Sequence, residues 1–118
     1  MKKLSGILLF AVLILYCPSA FALSGNDLAE GMKAYLKAEK DYTKSDYLLA
    51  GNYMGYVEGV AEATLADYSL PGTVTPEVLF RIVADFLGKH PDRWNEPAVN
   101  LVRKALLEAY PKYLIRNR

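Results

Sequence analysis

The chain has 118 residues, of which 53% are hydrophobic and 23% charged, and its formal net charge is +1. This length accommodates a single domain, and the sequence has no long run of like charges and no low-complexity segment. These properties exclude a disordered tail and argue against a partner that is bound through phosphate charge. We therefore expect one compact domain with no nucleic-acid partner.

Residues 1–22 have the pattern of a secretory signal peptide. Lys2 and Lys3 precede an apolar run at 7–16. This run is too short to cross a bilayer, because a membrane helix needs about 20 residues. It is followed by a small-x-small cleavage pattern that ends at Ala22. We expect cleavage after Ala22 and export to the periplasm.

The remaining domain, 23–118, keeps 96 of the 118 residues, with 12 basic and 13 acidic side chains. Its sequence has no second apolar run, so we expect no stable membrane anchor after cleavage. The one cysteine, Cys17, lies in the leader, and the bulky Tyr16 before it argues against lipid attachment there. An exported domain without disulfides depends on packing for its stability.

Apolar spacing in the exported domain is helical, and no segment shows the sustained alternation of a strand. We predict an all-α fold of four helices. The first is expected to begin at a cap formed by Ser24 or Asn26 and to end near Lys40. Its predicted buried residues are Leu28, Met32, Tyr35 and Leu36.

The second predicted helix begins at a Ser45 cap and ends near Ala66, and one of its faces carries almost no side chains. Each glycine costs about 1 kcal/mol relative to alanine inside a helix, so we expect a neighbouring backbone to pack closely on this face. Asn52, Glu58 and Glu62 argue against a membrane-spanning role and favour a soluble bundle. The bare row comprises Gly51, Gly55, Gly59 and Ala63.

A turn-rich loop at 67–74 precedes the third predicted helix. Thr75 is the expected cap, Pro76 suits the first helical position, and Gly88 marks the end. The apolar stripe of this helix comprises Val78, Leu79, Ile82, Val83, Phe86 and Leu87.

A link at 90–96 leads to the fourth predicted helix, which begins near Pro97 and ends before Pro111. The sequence thus predicts a small four-helix domain after a cleaved leader. The buried stripe of the last helix comprises Ala98, Leu101, Val102, Ala105, Leu106 and Ala109.

Catalytic chemistry has few candidates in this sequence. The exported domain has no thiol and one histidine, and Ser69, His90 and Asp92 lack the strand-to-helix turn of a nucleophile elbow. Glu58 and Glu62 share a helix face, but carboxylate metal sites in bundles also need histidines. We expect no enzyme activity, no metal and no cofactor.

Protein binding is better supported, because the predicted loops carry aromatic and charged residues. Tyrosine and tryptophan are enriched at protein interfaces, since they combine apolar area with a polar group. Tyr68 and Trp94 are the candidate anchors of a partner. The other candidate partner-binding residues are Leu70, His90, Asp92, Arg93 and Glu96.

Four segments have an order and spacing that are typical of a known family: Gly55-Tyr56-Val57-Glu58-Gly59-Val60, Leu70-Pro71-Gly72-Thr73-Val74-Thr75, His90-Pro91-Asp92-Arg93 and Ala109-Tyr110-Pro111. Over roughly residues 23–111 the chain resembles the Rap/Tai immunity proteins. The resemblance implies an exported helical protein that protects a bacterium from a peptidoglycan-cleaving amidase toxin delivered by type VI secretion. It also implies inhibition by occlusion of the toxin.

A small periplasmic chaperone or adaptor of the acid-stress type is the alternative function. A single histidine gives such a protein little capacity to respond near pH 6, so its loosening at lower pH would depend on carboxylates. A homodimer is a further expectation, because the bare glycine face or leftover apolar surface could pair between two chains.

Overall fold

The computed structural model of the protein describes residues 22–37 and 39–112. This part contains four α-helices and no strand: α1 (Gly25–Leu36), α2 (Lys44–Ala63), α3 (Pro76–Lys89) and α4 (Ala98–Ala109). Single 3-10 turns follow α1, α2 and α3 at Glu39–Asp41, Leu65–Asp67 and Pro91–Arg93. The predicted all-α, four-helix fold is confirmed. Except for Ala22, the predicted leader lies outside the described residues.

Helices α1 and α2 begin with the same device, a reciprocal capping box. Ser24 Oγ accepts a hydrogen bond from Asp27 N at 3.2 Å, and the Asp27 carboxylate accepts one from Ser24 N at 3.2 Å. Thr43 and Asp46 repeat this arrangement at the start of α2. Ser24 is therefore confirmed as a cap, whereas the predicted Ser45 cap is wrong because the box needs an acceptor three residues after the cap.

Helix α1 ends at Leu36, one turn before the predicted Lys40. Lys37 adopts extended backbone angles (φ −64°, ψ 150°), and its ammonium binds the Asp46 carboxylate of α2 at 3.1 Å. The Tyr42 hydroxyl donates to the carbonyl of Tyr35 at 3.1 Å, which satisfies a group that the ended helix leaves free. The predicted burial of Leu36 is wrong, because this early end leaves its side chain 54% exposed.

Helices α3 and α4 follow the prediction closely. Thr75 and Pro97 are the N-cap residues, Pro76 is the first residue of α3, and α4 ends at Ala109. Most of the two predicted stripes are buried. Three residues are not: Val78, 41% exposed, and Ala109 are exposed, and Ile82 is half-buried.

The core lies between all four helices, as the largest fully buried side chains show. Tyr53 anchors it from α2, with its hydroxyl donating to the carbonyl of Phe80 in α3 at 2.6 Å. This bond ties α2 to α3 through the centre of the domain. The other fully buried large side chains are Leu28, Val57, Val83, Leu87, Leu101, Val102 and Leu106.

The glycine row of α2 does not serve the close packing that its spacing suggests. Among the described residues, a Cβ atom placed on Gly51, Gly55 or Gly59 would have no atom within 4 Å, so this part of the chain leaves the face open. The close approach is made by α1 instead. A Cβ on Gly31 would lie 2.9 Å from Tyr53 Cβ, and one on Gly25 would lie 2.6 Å from the Trp94 carbonyl oxygen. The expectation that a neighbouring backbone covers the α2 row within the domain is therefore wrong.

None of the helices formed by residues 22–37 and 39–112 is both long enough and apolar enough to cross a membrane.

Candidate interaction surface

The segment that joins α3 to α4 holds five of the predicted partner-binding residues in one fixed turn. The Arg93 guanidinium donates to the Glu96 carboxylate at 2.6 Å, and the Lys104 ammonium binds the same carboxylate at 2.9 Å. These hydrogen bonds, from Arg93 first and then from Lys104, lower the pKa of Glu96 to about 2. The Glu96 carbonyl also accepts from Gly25 N at 2.8 Å. The turn is therefore held to both α4 and the start of α1.

Trp94 anchors this turn on the bundle. Its side chain is half-buried, and the indole N–H donates to the carbonyl of Leu87 at the end of α3, at 3.0 Å. The Lys33 ammonium of α1 lies 5.0 Å from the ring centre, a cation–π distance. Trp94 thus contributes to the position of the turn as well as to its surface.

The turn also contains His90 and Asp92. The half-buried His90 ring lies 4.5 Å from the Phe86 ring, centre to centre, and the Arg93 guanidinium lies 5.9 Å from the same Phe86 ring. Asp92 is exposed between them in the chain. The short turn therefore combines the Trp94 ring, the His90 imidazole, the Arg93 guanidinium and the exposed Asp92 carboxylate.

A groove of about 260 Å³ runs beside this turn, between α3 and α4. His90 belongs to both the turn and the groove, so the two form one continuous surface. The residues that line the groove are Ile82, Asp85, Phe86, Lys89, His90, Ala105, Glu108 and Ala109.

Tyr68, the other predicted anchor, is a core residue. Its side chain is 4% exposed, and its hydroxyl donates to the carbonyl of Ala61 at 3.1 Å and is hydrogen-bonded to the Thr64 hydroxyl. The expectation that Tyr68 offers an accessible loop aromatic is therefore wrong, because the 3-10 turn before it directs its ring inward. Leu70 is half-buried against the core.

The structure does not bring Tyr68 and Leu70 into the surface formed by residues 90–96. Their loop is attached to α4 by Ser69 N, which donates to the carbonyl of Tyr110 at 3.3 Å, and by Arg103, which binds Asp67 at 2.8 Å. No periodic signal distinguishes a buried loop tyrosine from an exposed one, so only its tertiary hydrogen bonds identify its role.

The open glycine face forms a second surface, for which the sequence suggested either close packing inside the bundle or pairing between two chains. Gly55 and Gly59 border a largely apolar groove of about 280 Å³ between α2 and α4. Val99, 39% exposed, forms the opposite side from α4. Tyr56, Val60, Ala63 and Thr64 complete the lining.

In residues 22–37 and 39–112, no group of three or more histidine, cysteine, aspartate or glutamate side chains could hold a metal ion.

The two surfaces carry side chains suited to contact with another macromolecule: aromatic, paired charged and apolar groups on a rigid frame. Such a fold and such surfaces define a small helical protein-binding domain.

The chain belongs to the Rap1a immunity protein family, whose model matches residues 24–111. This match spans all four helices and both surfaces. No curated protein is similar to the chain at a significant level. Membership indicates an immunity protein that binds a cognate secreted toxin, and proteins of this family are typically inhibitors without enzyme activity.

Proposed function

We propose that the protein is a periplasmic immunity protein that blocks a peptidoglycan amidase delivered by type VI secretion. The family match over residues 24–111 is the observation that carries the proposal. The signal-peptide pattern of residues 1–22 supports export, which would bring the protein to the compartment where a cell-wall amidase acts.

The surface around 90–96 is the proposed contact with the toxin. It is held in place before binding by the Trp94 hydrogen bond and by the ion pairs of Glu96. A pre-ordered turn loses little conformational freedom when it enters a cleft, which favours affinity. His90, Asp92 and Arg93 would contact the toxin, and the bulk of the bundle behind them would exclude substrate.

Capture and inhibition test the proposal together. Tagged protein, expressed as the full chain and purified from periplasmic extract, should retain a small amidase, and it should suppress peptidoglycan cleavage when added back to the amidase. Retention of unfolded envelope proteins alone, with release of client at neutral pH, would contradict the proposal and favour the chaperone alternative.

A matched pair of variants tests the contact surface. Asp92→Lys should weaken binding of the captured amidase at least tenfold, about 1.4 kcal/mol. The substitution reverses the charge at the contact, and a reversed charge opposes association with a complementary surface. Asp41→Lys makes the same change at another exposed aspartate in a 3-10 turn and should leave binding unchanged. Equal affinities for the two variants would exclude the turn as the contact.

We also propose that a second copy of the chain covers the open glycine face. Exposed helical glycines lower stability by about 1 kcal/mol each relative to alanine, so their presence favours a close backbone contact with a partner, since residues 22–37 and 39–112 make none there. Gly55→Gln should shift the sedimentation of the protein from dimer to monomer, whereas Gly88→Gln, at another helical glycine with open space, should not. A wild-type monomer at high concentration would contradict this assembly.

A further inference from the structure

The groove between α3 and α4 has an acidic rim. Asp85 from α3 and Glu108 from α4 line it, and both are exposed. Within the described part of the chain neither carboxylate forms a salt bridge, whereas three other carboxylates do. The groove therefore offers two anionic acceptors from two different helices.

The base of the same groove is apolar. Phe86 and Ala105 are buried and Ile82 is half-buried, while Lys89 and His90 lie at the end near the turn. Two carboxylates and one ammonium leave the lining with a formal charge of −1 when the histidine is neutral. An apolar base below an acidic rim matches a side chain with a methylene stem and a positive end.

Other occupants fit this lining less well. An acidic side chain would meet two like charges, and a purely apolar one would remove water from both carboxylates without replacing their hydrogen bonds. A positive charge is also compatible with the Phe86 ring at the bottom of the groove. The chain's own Arg93 guanidinium lies 5.9 Å from the centre of that ring.

We propose that the α3–α4 groove receives a lysine or arginine side chain of the toxin, with its stem against Ile82 and Phe86 and its charge between Asp85 and Glu108. This inference rests on the proposed function, since it assigns the groove to the toxin. In this arrangement the toxin contacts the turn at 90–96, and the adjacent groove selects a basic residue of the toxin.

A peptide titration tests the groove without a toxin. The probe is acetyl-Gly-Arg-Gly-amide, and its matched control is the citrulline peptide, which has nearly the same shape and no charge. The observable is the set of backbone amide shifts of the ¹⁵N-labelled protein, purified from cells that express the full chain. The arginine peptide should shift the amides of Phe86, Lys89 and Glu108, and the citrulline peptide should not.

Two double variants of equal charge change complete the test. Asp85→Asn with Glu108→Gln should weaken arginine-peptide binding about fivefold, the loss expected for exposed ion pairs. Glu58→Gln with Glu62→Gln, on the exposed face of α2, should leave it unchanged. Circular dichroism checks the fold, and if the groove double variant unfolds, each single groove variant should still show part of the loss.

Three results would overturn the inference: equal shifts by the citrulline peptide, unchanged binding by the groove variants, or no groove shifts at the highest soluble peptide concentration. Because this assay contains no toxin, such a result rejects the groove assignment alone. Failure of the proposed function would appear separately, as failure to capture or inhibit an amidase. With a captured amidase, the groove double variant should lose affinity in the same direction as with the peptide.

Discussion

The glycines of α1 and those of α2 have opposite surroundings, although both lie in helices. Gly31 faces Tyr53 and the Leu49 carbonyl, where a Cβ would lie 2.9 Å and 3.0 Å from the nearest atoms, respectively. Gly55 and Gly59 face open space in the part of the chain that the structure describes. The first glycine allows α1 and α2 to approach each other inside the domain, whereas the others leave a bare surface. A regular row of small residues therefore identifies a bare face but does not tell whether the fold covers it.

The largest expected effect is at the packed position. Gly31→Ala should destabilise the protein by about 2 kcal/mol, because over-packing a tight contact typically costs about 1–3 kcal/mol and here part of the contact is backbone. Urea unfolding followed by circular dichroism measures the change in the free energy of unfolding. A stability equal to or above wild type would mean that α1 and α2 move apart at no cost. Gly31 would then not differ from the open glycines of α2 in its tolerance of a side chain.

Tyr53 supplies the atoms that Gly31 packs against, so its second role can be tested separately. Tyr53→Phe removes a buried hydroxyl that donates to the Phe80 carbonyl at 2.6 Å and should cost about 1 kcal/mol. Tyr47→Phe, at a tyrosine that is 57% exposed, is the control and should be nearly neutral. Equal effects in urea unfolding would show that the α2–α3 hydrogen bond contributes no net stability.

Most of the fold could be predicted from the sequence, because helix starts and apolar stripes depend on local physics. Ser24, Thr75 and Pro76 lie at their predicted positions, and the stripes of α3 and α4 are largely buried. The early end of α1 was not predicted, and the bond formed there, from Lys37 to Asp46 on the next helix, has no local sequence signal. Local signals do not contain such tertiary contacts.

The candidate surface was predictable only in part. Residues 90–96 do form one turn, in which Pro91, Asp92 and Asn95 are exposed, because Pro91 and the end of α3 mark it clearly. Tyr68 failed as a surface residue because an inward ring and an outward ring have the same sequence signature. The α3–α4 groove was missed altogether, since Asp85 and Glu108 are 23 positions apart and are brought together only by helix packing.

The open glycines provide a change of opposite sign. In the isolated chain, Gly55→Ala and Gly59→Ala should each stabilise the protein by about 0.5–1 kcal/mol, because alanine is the better helix former and meets no atom within 4 Å. Urea unfolding at low protein concentration measures this gain. If a second copy covers the face, the same variants should weaken the dimer at high concentration. A loss of stability in the monomer would contradict the open surroundings of α2.

The smallest effect concerns Glu96, whose backbone carbonyl accepts a hydrogen bond from Gly25 N, the second packed glycine, at 2.8 Å. Arg93 and then Lys104 depress the pKa of Glu96 from 4.5 to about 2. A depressed carboxyl pKa stabilises the fold fully above the unfolded value, and this contribution is lost as the pH falls from 4.5 towards 2. Glu96→Gln should therefore be less stable than wild type at pH 6 and should approach it at pH 3.

Comparing wild type with Glu96→Gln at both pH values isolates the contribution of Glu96, because every other carboxylate is present in both proteins. Urea midpoints at pH 6 and pH 3 give the difference directly. Since the Glu96 side chain is 29% exposed, solvent screens its ion pairs and the difference should be smaller than that of any glycine variant above. If the difference in unfolding free energy between wild type and Glu96→Gln is the same at both pH values, the Glu96 ion pairs do not contribute to stability. Glu96 would then support the Gly25 contact through its backbone carbonyl alone.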